Sequence, residues 1–184
     1  MSTERETMEK LVRLSGQVSE GAQRFYNEEG WNPADPAFHR FNRSSAVVRQ
    51  VLVLNFLDYL VGDCGIIKAF SQVHPDHSDW FFTTASEGFR ALGLEEKARA
   101  AAAIVVWVGA HRELVARYFI ASEKYLESTE EEEEAFESMA DSIEHELMSY
   151  EVQLEQDEAV NQRLCELIEK HWQELDRELN FANQ

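Results

Sequence analysis

The stretch TEEEEEAFESMADSIEHELMSYEVQLEQDE, residues 129–158, carries two periodicities at once. Phe136, Ala140, Ile143, Leu147, Tyr150 and Leu154 recur at steps of three or four, the spacing of one face of an α-helix. Carboxylates hold the same period on the other side, at Glu130, Glu134, Glu137, Asp141, Glu144, Glu151, Glu155 and Glu158, with Glu131 beside the first of them. Ser128 or Thr129 reads as the N-cap, and glutamates in the first turn suit the positive end of the helix dipole. An unstructured acidic tail would need no apolar register, so this segment should fold against a core and turn its acids outward. Like charges at i,i+4 repel by a few tenths of a kcal/mol per pair. A stripe of them therefore costs stability that an exposed face of mixed Lys and Glu would avoid. The plainer alternative is an ordinary solvated acidic helix.

Charge is divided unevenly along the chain. Residues 1–120 hold 13 Lys+Arg against 15 Asp+Glu, whereas residues 121–184 hold 4 against 20, and the whole carries −18. A pI near 4.6 argues against direct binding of nucleic acid, which needs Lys and Arg gathered in a patch. The expected partner is a basic protein instead. At 184 residues, with 44% hydrophobic residues, the chain suits a single globular domain with a substantial core. Cys64 and Cys165 form no CxxC motif and read as buried thiols in a reducing cytoplasm. Val51–Val61 is too short, and carries Asp58, to span a bilayer, so no membrane segment is expected.

The remaining segments also read as helices. Residues 4–26 give a first one, followed by a loop at Asn27–Ala37 that holds Gly30, Trp31, Pro33 and Pro36. Ser44 or Ser45 caps AVVRQVLVLNFLDYLV, residues 46–61, which is apolar on most sides and so belongs at the centre. Its five valines also permit a buried strand, but its length favours helix. Gly62 to Gly65 breaks the chain, Ile66–Val73 makes a short helix, and Ser78 caps another that Gly93 ends. A long apolar helix runs from Leu94 through Ile120, and a last one spans roughly Glu158–Phe181. Strand and hairpin signals are missing. The expected fold is all-α, with six to seven helices in one domain: an N-terminal helix and loop (1–41), an apolar helical core (42–127) and an acidic C-terminal helix pair (128–184).

Catalytic and metal-binding patterns are scarce. His74, Asp76, His77 and Asp79 form the densest group of possible ligands, but Pro75 interrupts any regular helix there and no HExxH occurs. The better reading is a polar turn that caps the next helix. None of the six histidines follows a Glu at three positions, as a di-iron bundle would require. His111, His145 and His171 read as ordinary helix residues. No GxSxG, phosphate-binding loop or dinucleotide fingerprint is present. Cys64 has no His placed as its base. The sequence predicts neither enzyme nor cofactor nor metal site.

One resemblance adds to this reading. Leu60-Val61-Gly62-Asp63-Cys64-Gly65-Ile66-Ile67-Lys68-Ala69-Phe70, with Ala91-Leu92-Gly93-Leu94 closing a helix, is similar to a bacterial domain family whose named member is DNA-mimic protein nineteen. Phe136 to Met139 and the Asp157–His171 segment, with Leu167, Ile168 and His171, resemble the closing helices of that family. Cys64 stands where the family has a glycine, Lys68 where it has a glutamine, and Ala69 lacks the family's ring. The resemblance covers roughly residues 55–175. It implies an all-helical, often dimeric domain without catalytic residues, and for its acidic member a decoy that occupies the DNA site of a regulator.

Sequence and resemblance together predict an acidic DNA mimic, a cytoplasmic homodimer. Its partner would be a basic DNA-binding protein met through Glu130, Glu131, Glu134, Glu137, Asp141, Glu144, Glu151, Glu155 and Glu158. DNA phosphates recur every ~3.4 Å of axis on each strand, a scale comparable to the ~5–6 Å steps of such a stripe. Glu166, Glu169, Glu174 and Glu178 would extend the field. Alternatives are an immunity-type inhibitor of a basic toxin or nuclease, and a small ligand-binding or enzymatic domain using the His74–Asp79 turn.

Overall fold

A computed structural model of the chain describes residues 43–155 and 158–179, together with Arg13 and Gly16. Apart from Arg13 and Gly16, the expected helix over 4–26 and the loop through Trp31 lie outside the described residues. Within them the protein is all-helical and no strand occurs. The order is α1 (Ala46–Cys64), α2 (Ile67–Gln72), α3 (Pro75–Ala91), α4 (Glu95–Ala110), α5 (Arg112–Lys124), a short 3-10 turn (Tyr125–Glu127), α6 (Glu130–Leu154), α7 (Glu158–Lys170) and α8 (Trp172–Leu179).

The central helix is the one the apolar run indicated. Val48, Val51, Leu52, Val53, Leu54, Leu57 and Leu60 of α1 are all fully buried. Ser45 caps it, its hydroxyl accepting from Val48 N at 3.4 Å, while Ser45 N donates to Glu178 of α8 at 3.0 Å. α3 packs on α1 and α4 packs on α3. Backbones approach closely there: a Cβ on Gly88 of α3 would sit 2.9 Å from Leu54 Cδ1. Ala98, Ala100 and Ala101 are buried in α4, and Ser86 Oγ donates to Ala98 O at 2.8 Å across the α3–α4 contact. Phe70, Phe81, Phe82 and Phe89 fill the core between them. α6 lies against α4 and α5, and α2 touches α1, α5 and α6. No helix among the described residues is long and apolar enough to cross a membrane.

Three helix boundaries differ from the sequence reading, and two of them, the breaks at His111 and His171, raise the count above six to seven, to eight among the described residues alone. The long apolar helix stops at His111, which leaves helical geometry at φ −121°, ψ 28°. Its ring Nδ1 lies 2.9 Å from Trp107 O, the carbonyl that also accepts from His111 N, and the imidazole stacks on the Trp107 ring at 4.5 Å. Side-chain competition for a backbone carbonyl disfavours continuing the helix, and Gly109 two residues earlier lowers its propensity further. The last helix also breaks, at His171, whose ring Nδ1 lies 3.3 Å from Glu174 Oε2, so the expected C-terminal pair is three helices. α3 starts at Pro75 and not after Ser78. His74 is its N-cap, Nδ1 accepting from Asp76 N at 3.3 Å, and proline is well suited to the first helical position. Ser78 is instead fully buried in the first turn.

Gly93 does end α3. With φ +70° it allows the paired bonds Leu94 N to Phe89 O at 2.8 Å and Gly93 N to Arg90 O at 2.9 Å. Arg163 of α7 satisfies the carbonyls left over, reaching Leu92 O at 2.8 Å and Gly93 O at 3.2 Å.

The α1–α3 contact is testable. Alanine is favoured over glycine in a helix by up to ~1 kcal/mol, but overpacking a core costs ~1–3 kcal/mol. Gly88→Ala should therefore lower stability in urea denaturation, and a stabilised variant would show that the two backbones are not held at this distance.

Candidate protein-binding face

Opposing demands shape α6. Five glutamates in succession repel one another, yet the helix begins among them because its N-terminus is doubly capped. Thr129 Oγ1 accepts from Glu132 N at 3.4 Å and Glu132 Oε2 accepts from Thr129 N at 2.8 Å, a reciprocal pair that satisfies two backbone donors. The Thr129 backbone N–H, then its hydroxyl, hold the Glu132 carboxyl below the usual carboxylate range, with Lys124 contributing; slight desolvation opposes them. At the other end Lys97 of α4 donates to Gln153 O at 3.1 Å and to Glu155 O, placing a cation on the last carbonyls, where the dipole is negative.

Between these ends the apolar register faces inward as its spacing requires. Ile143, Leu147 and Leu154 are fully buried. Phe136 stacks on Tyr118 of α5 with ring centroids 5.0 Å apart and lies as close to Tyr125. Burial, and then the nearby Glu144 charge, push the Tyr118 hydroxyl up to about 12.

The carboxylates fall into groups with different roles. Glu130, Glu134, Glu137, Asp141 and Glu144 are exposed and follow one line, and Glu131 is exposed ~100° further round. Among the described residues none of these six forms a salt bridge. Glu155 is exposed just past the end of α6, and the Glu158 side chain lies outside the described residues. Glu151 departs from the expected stripe. It is half-buried, and Oε2 accepts from Ile66 N at 2.9 Å, so this acid joins α6 to the start of α2. Gly65 makes room for it: φ is +78°, ψ 170°, and a Cβ there would lie 3.1 Å from that same oxygen. Glu178 and Glu174 are also used internally, by Ser45 N and by His171 respectively. Hydrogen bonding from Ser45, and more weakly from His171, holds the Glu174 carboxyl low. Glu166 is exposed and accepts from Gln162 at 3.1 Å.

Glu146 was not singled out by the sequence reading. It accepts from Trp107 Nε1 at 2.6 Å and lies 3.8 Å from His111 Nε2. Its position one residue before buried Leu147, on the edge of the apolar seam, was the available signal.

The His74–Asp79 turn is occupied by structural work. His74 caps α3 and packs on Phe119 at 5.2 Å, and Asp79 pairs with Arg112 of α5. Burial, then the neighbouring His74, lower the His77 pKa, and Asp76 partly restores it. A shallow cavity of about 220 Å³ touches this turn through Pro75 and Asp76, below the ~300–1,000 Å³ of small-molecule sites. Among the described residues no three His, Cys, Asp or Glu side chains are grouped to hold a metal. Cys165 is a buried thiol whose pKa is raised by burial and by Glu166.

Two measurements separate structural acids from surface acids. Glu151→Ala strands the Ile66 N–H and should cost ~1.5–3 kcal/mol in urea denaturation, the scale of a charge-assisted bond, whereas Glu137→Ala should change stability by ~0.5 kcal/mol or less. For the cap, a lowered Glu132 pKa means stability present above the unfolded value of 4.5 and lost as pH falls through the lower folded value. Thr129→Ala should cost ~1 kcal/mol at neutral pH and flatten that acid-side decline in unfolding free energy. Compared with protein families, with characterised proteins and with solved structures, the chain has no match in any of the three.

Proposed function

We propose that this chain is an acidic inhibitor that binds the nucleic-acid-binding surface of a basic protein and so keeps DNA from it. One observation carries the reading: Glu130, Glu134, Glu137, Asp141 and Glu144 stand exposed in a line on a helix capped at both ends and packed along its inner seam, with no salt bridge among the described residues. Fixed charges act differently from a mobile acidic tail. They require no ordering on binding, so their field is delivered without the entropy cost of immobilising the chain. They also speed encounter with a positive surface, an effect that weakens with salt. The charges recur every ~5–6 Å of axis, coarser than the ~3.4 Å of phosphates on one strand but on a comparable scale.

The reading assigns no chemistry to the protein, because the best-connected histidines and acids serve as caps and inter-helix ties. An immunity-type inhibitor of a basic nuclease would use the same face, since a nuclease and a regulator present similar positive surfaces to DNA. The partner's identity decides between them.

The test is capture from lysate at low and high salt by the whole chain and by a variant with Glu130, Glu134, Glu137, Asp141 and Glu144 all changed to Gln. Expected is a DNA-binding protein retained by the first at low salt, released at high salt and missed by the variant, with its DNA displaced by the chain in fluorescence anisotropy. Equal retention by both proteins would exclude this face as the interface.

A further inference from the structure

The line of acids on α6 does not end at Glu144. Continued at the same steps of three and four it passes through Met148 and Val152, which are apolar and yet 59% and 64% exposed. They lie away from the buried seam of Ile143, Leu147 and Leu154, so the core does not claim them. The line is thus acidic from Glu130 to Glu144 and apolar at its last two positions, Met148 and Val152.

We propose that this face docks an amphipathic basic helix of a partner protein, its Lys and Arg set along Glu130–Glu144 and an apolar pair covering Met148 and Val152. The inference rests on the inhibitor reading above and narrows it to one shape of partner. Three features favour a helix. The steps 130, 134, 137, 141, 144, 148 and 152 alternate nearly as the a and d positions of a heptad, which a second helix meets at a shallow crossing angle over many turns. The line is about 33 Å long at ~1.5 Å per residue, whereas an extended strand repeats its side chains every ~6.6–6.8 Å and would lose register along it. Apolar anchors at i and i+4 beside a charged rail are how helices are read in grooves and on helix faces. Charge complementarity fixes the sign, because a second copy of this chain would set carboxylate against carboxylate.

Two synthetic 24-residue peptides of identical composition test the proposal. One places Lys at rail spacing over one half and two Leu at i,i+4 in the other; its shuffled counterpart has no such face. Binding to the whole chain is followed by fluorescence anisotropy and far-UV circular dichroism at low salt, and repeated with Met148→Ser/Val152→Ser. Both substitutions are at exposed positions, and the variant's unfolding midpoint verifies its fold. The patterned peptide should bind about tenfold more tightly than the shuffled one and gain helix on binding, and the double variant should erase that advantage while leaving the shuffled peptide unaffected. Equal binding of both peptides, or an advantage that survives in the double variant, overturns the docking helix but leaves the inhibitor reading standing. If neither peptide binds at low salt, both readings are overturned.

Discussion

A single seam of apolar side chains, Phe136 to Leu154 on the inner side of α6, determines where the protein's charge goes. Because that seam must leave water, the helix has one permitted rotation about its axis, and the carboxylates opposite it have no choice but solvent. α4 and α5 supply the surface that receives it. The rest of the core, gathered on the buried α1, makes that surface rigid enough for an acidic helix of 25 residues to lie on it. Repulsion within the stripe is offset at its two ends by the Thr129–Glu132 box and by Lys97, and along its length by burial.

Much of this was legible in the sequence, because it depends on period and on local capping. The 3.6-residue pattern located α1 and α6, Ser45 and Thr129 stand where N-caps were expected, and Gly93 closes α3. What escaped depends on contacts between segments remote in sequence. His111 and His171 break helices whose apolar pattern continues across them, and the break lies in where the ring meets a carbonyl or a carboxylate. His74 took the capping role assigned to Ser78, since an imidazole nitrogen can accept as a hydroxyl does and Pro75 is at home behind it. Glu151 matches the period of the acidic stripe as well as Glu144 does. Only the fold, which brings the Gly65 turn beneath it, separates the two.

That last distinction bears on how an acidic surface is interpreted. Of the carboxylates in the C-terminal third, several are committed inside the molecule: Glu132 to its cap, Glu146 to Trp107, Glu151 to Ile66, Glu178 to Ser45. Each keeps its charge, because its donor is neutral, but its position is set by the fold and not by a partner. Among the others, Glu130, Glu134, Glu137, Asp141 and Glu144 form one line on a single helix, and direction is what discriminates a specific surface from general solubility.

The Lys97 clamp has a mechanical side. It belongs to α4 but grips the terminal carbonyls of α6, while Trp107, ten residues further along α4, grips Glu146. Two attachments so far apart bar α6 from sliding or pivoting on its neighbour. To shift along α4 the C-terminal half of α6 would have to release both anchors at once, so its register on that neighbour is doubly set.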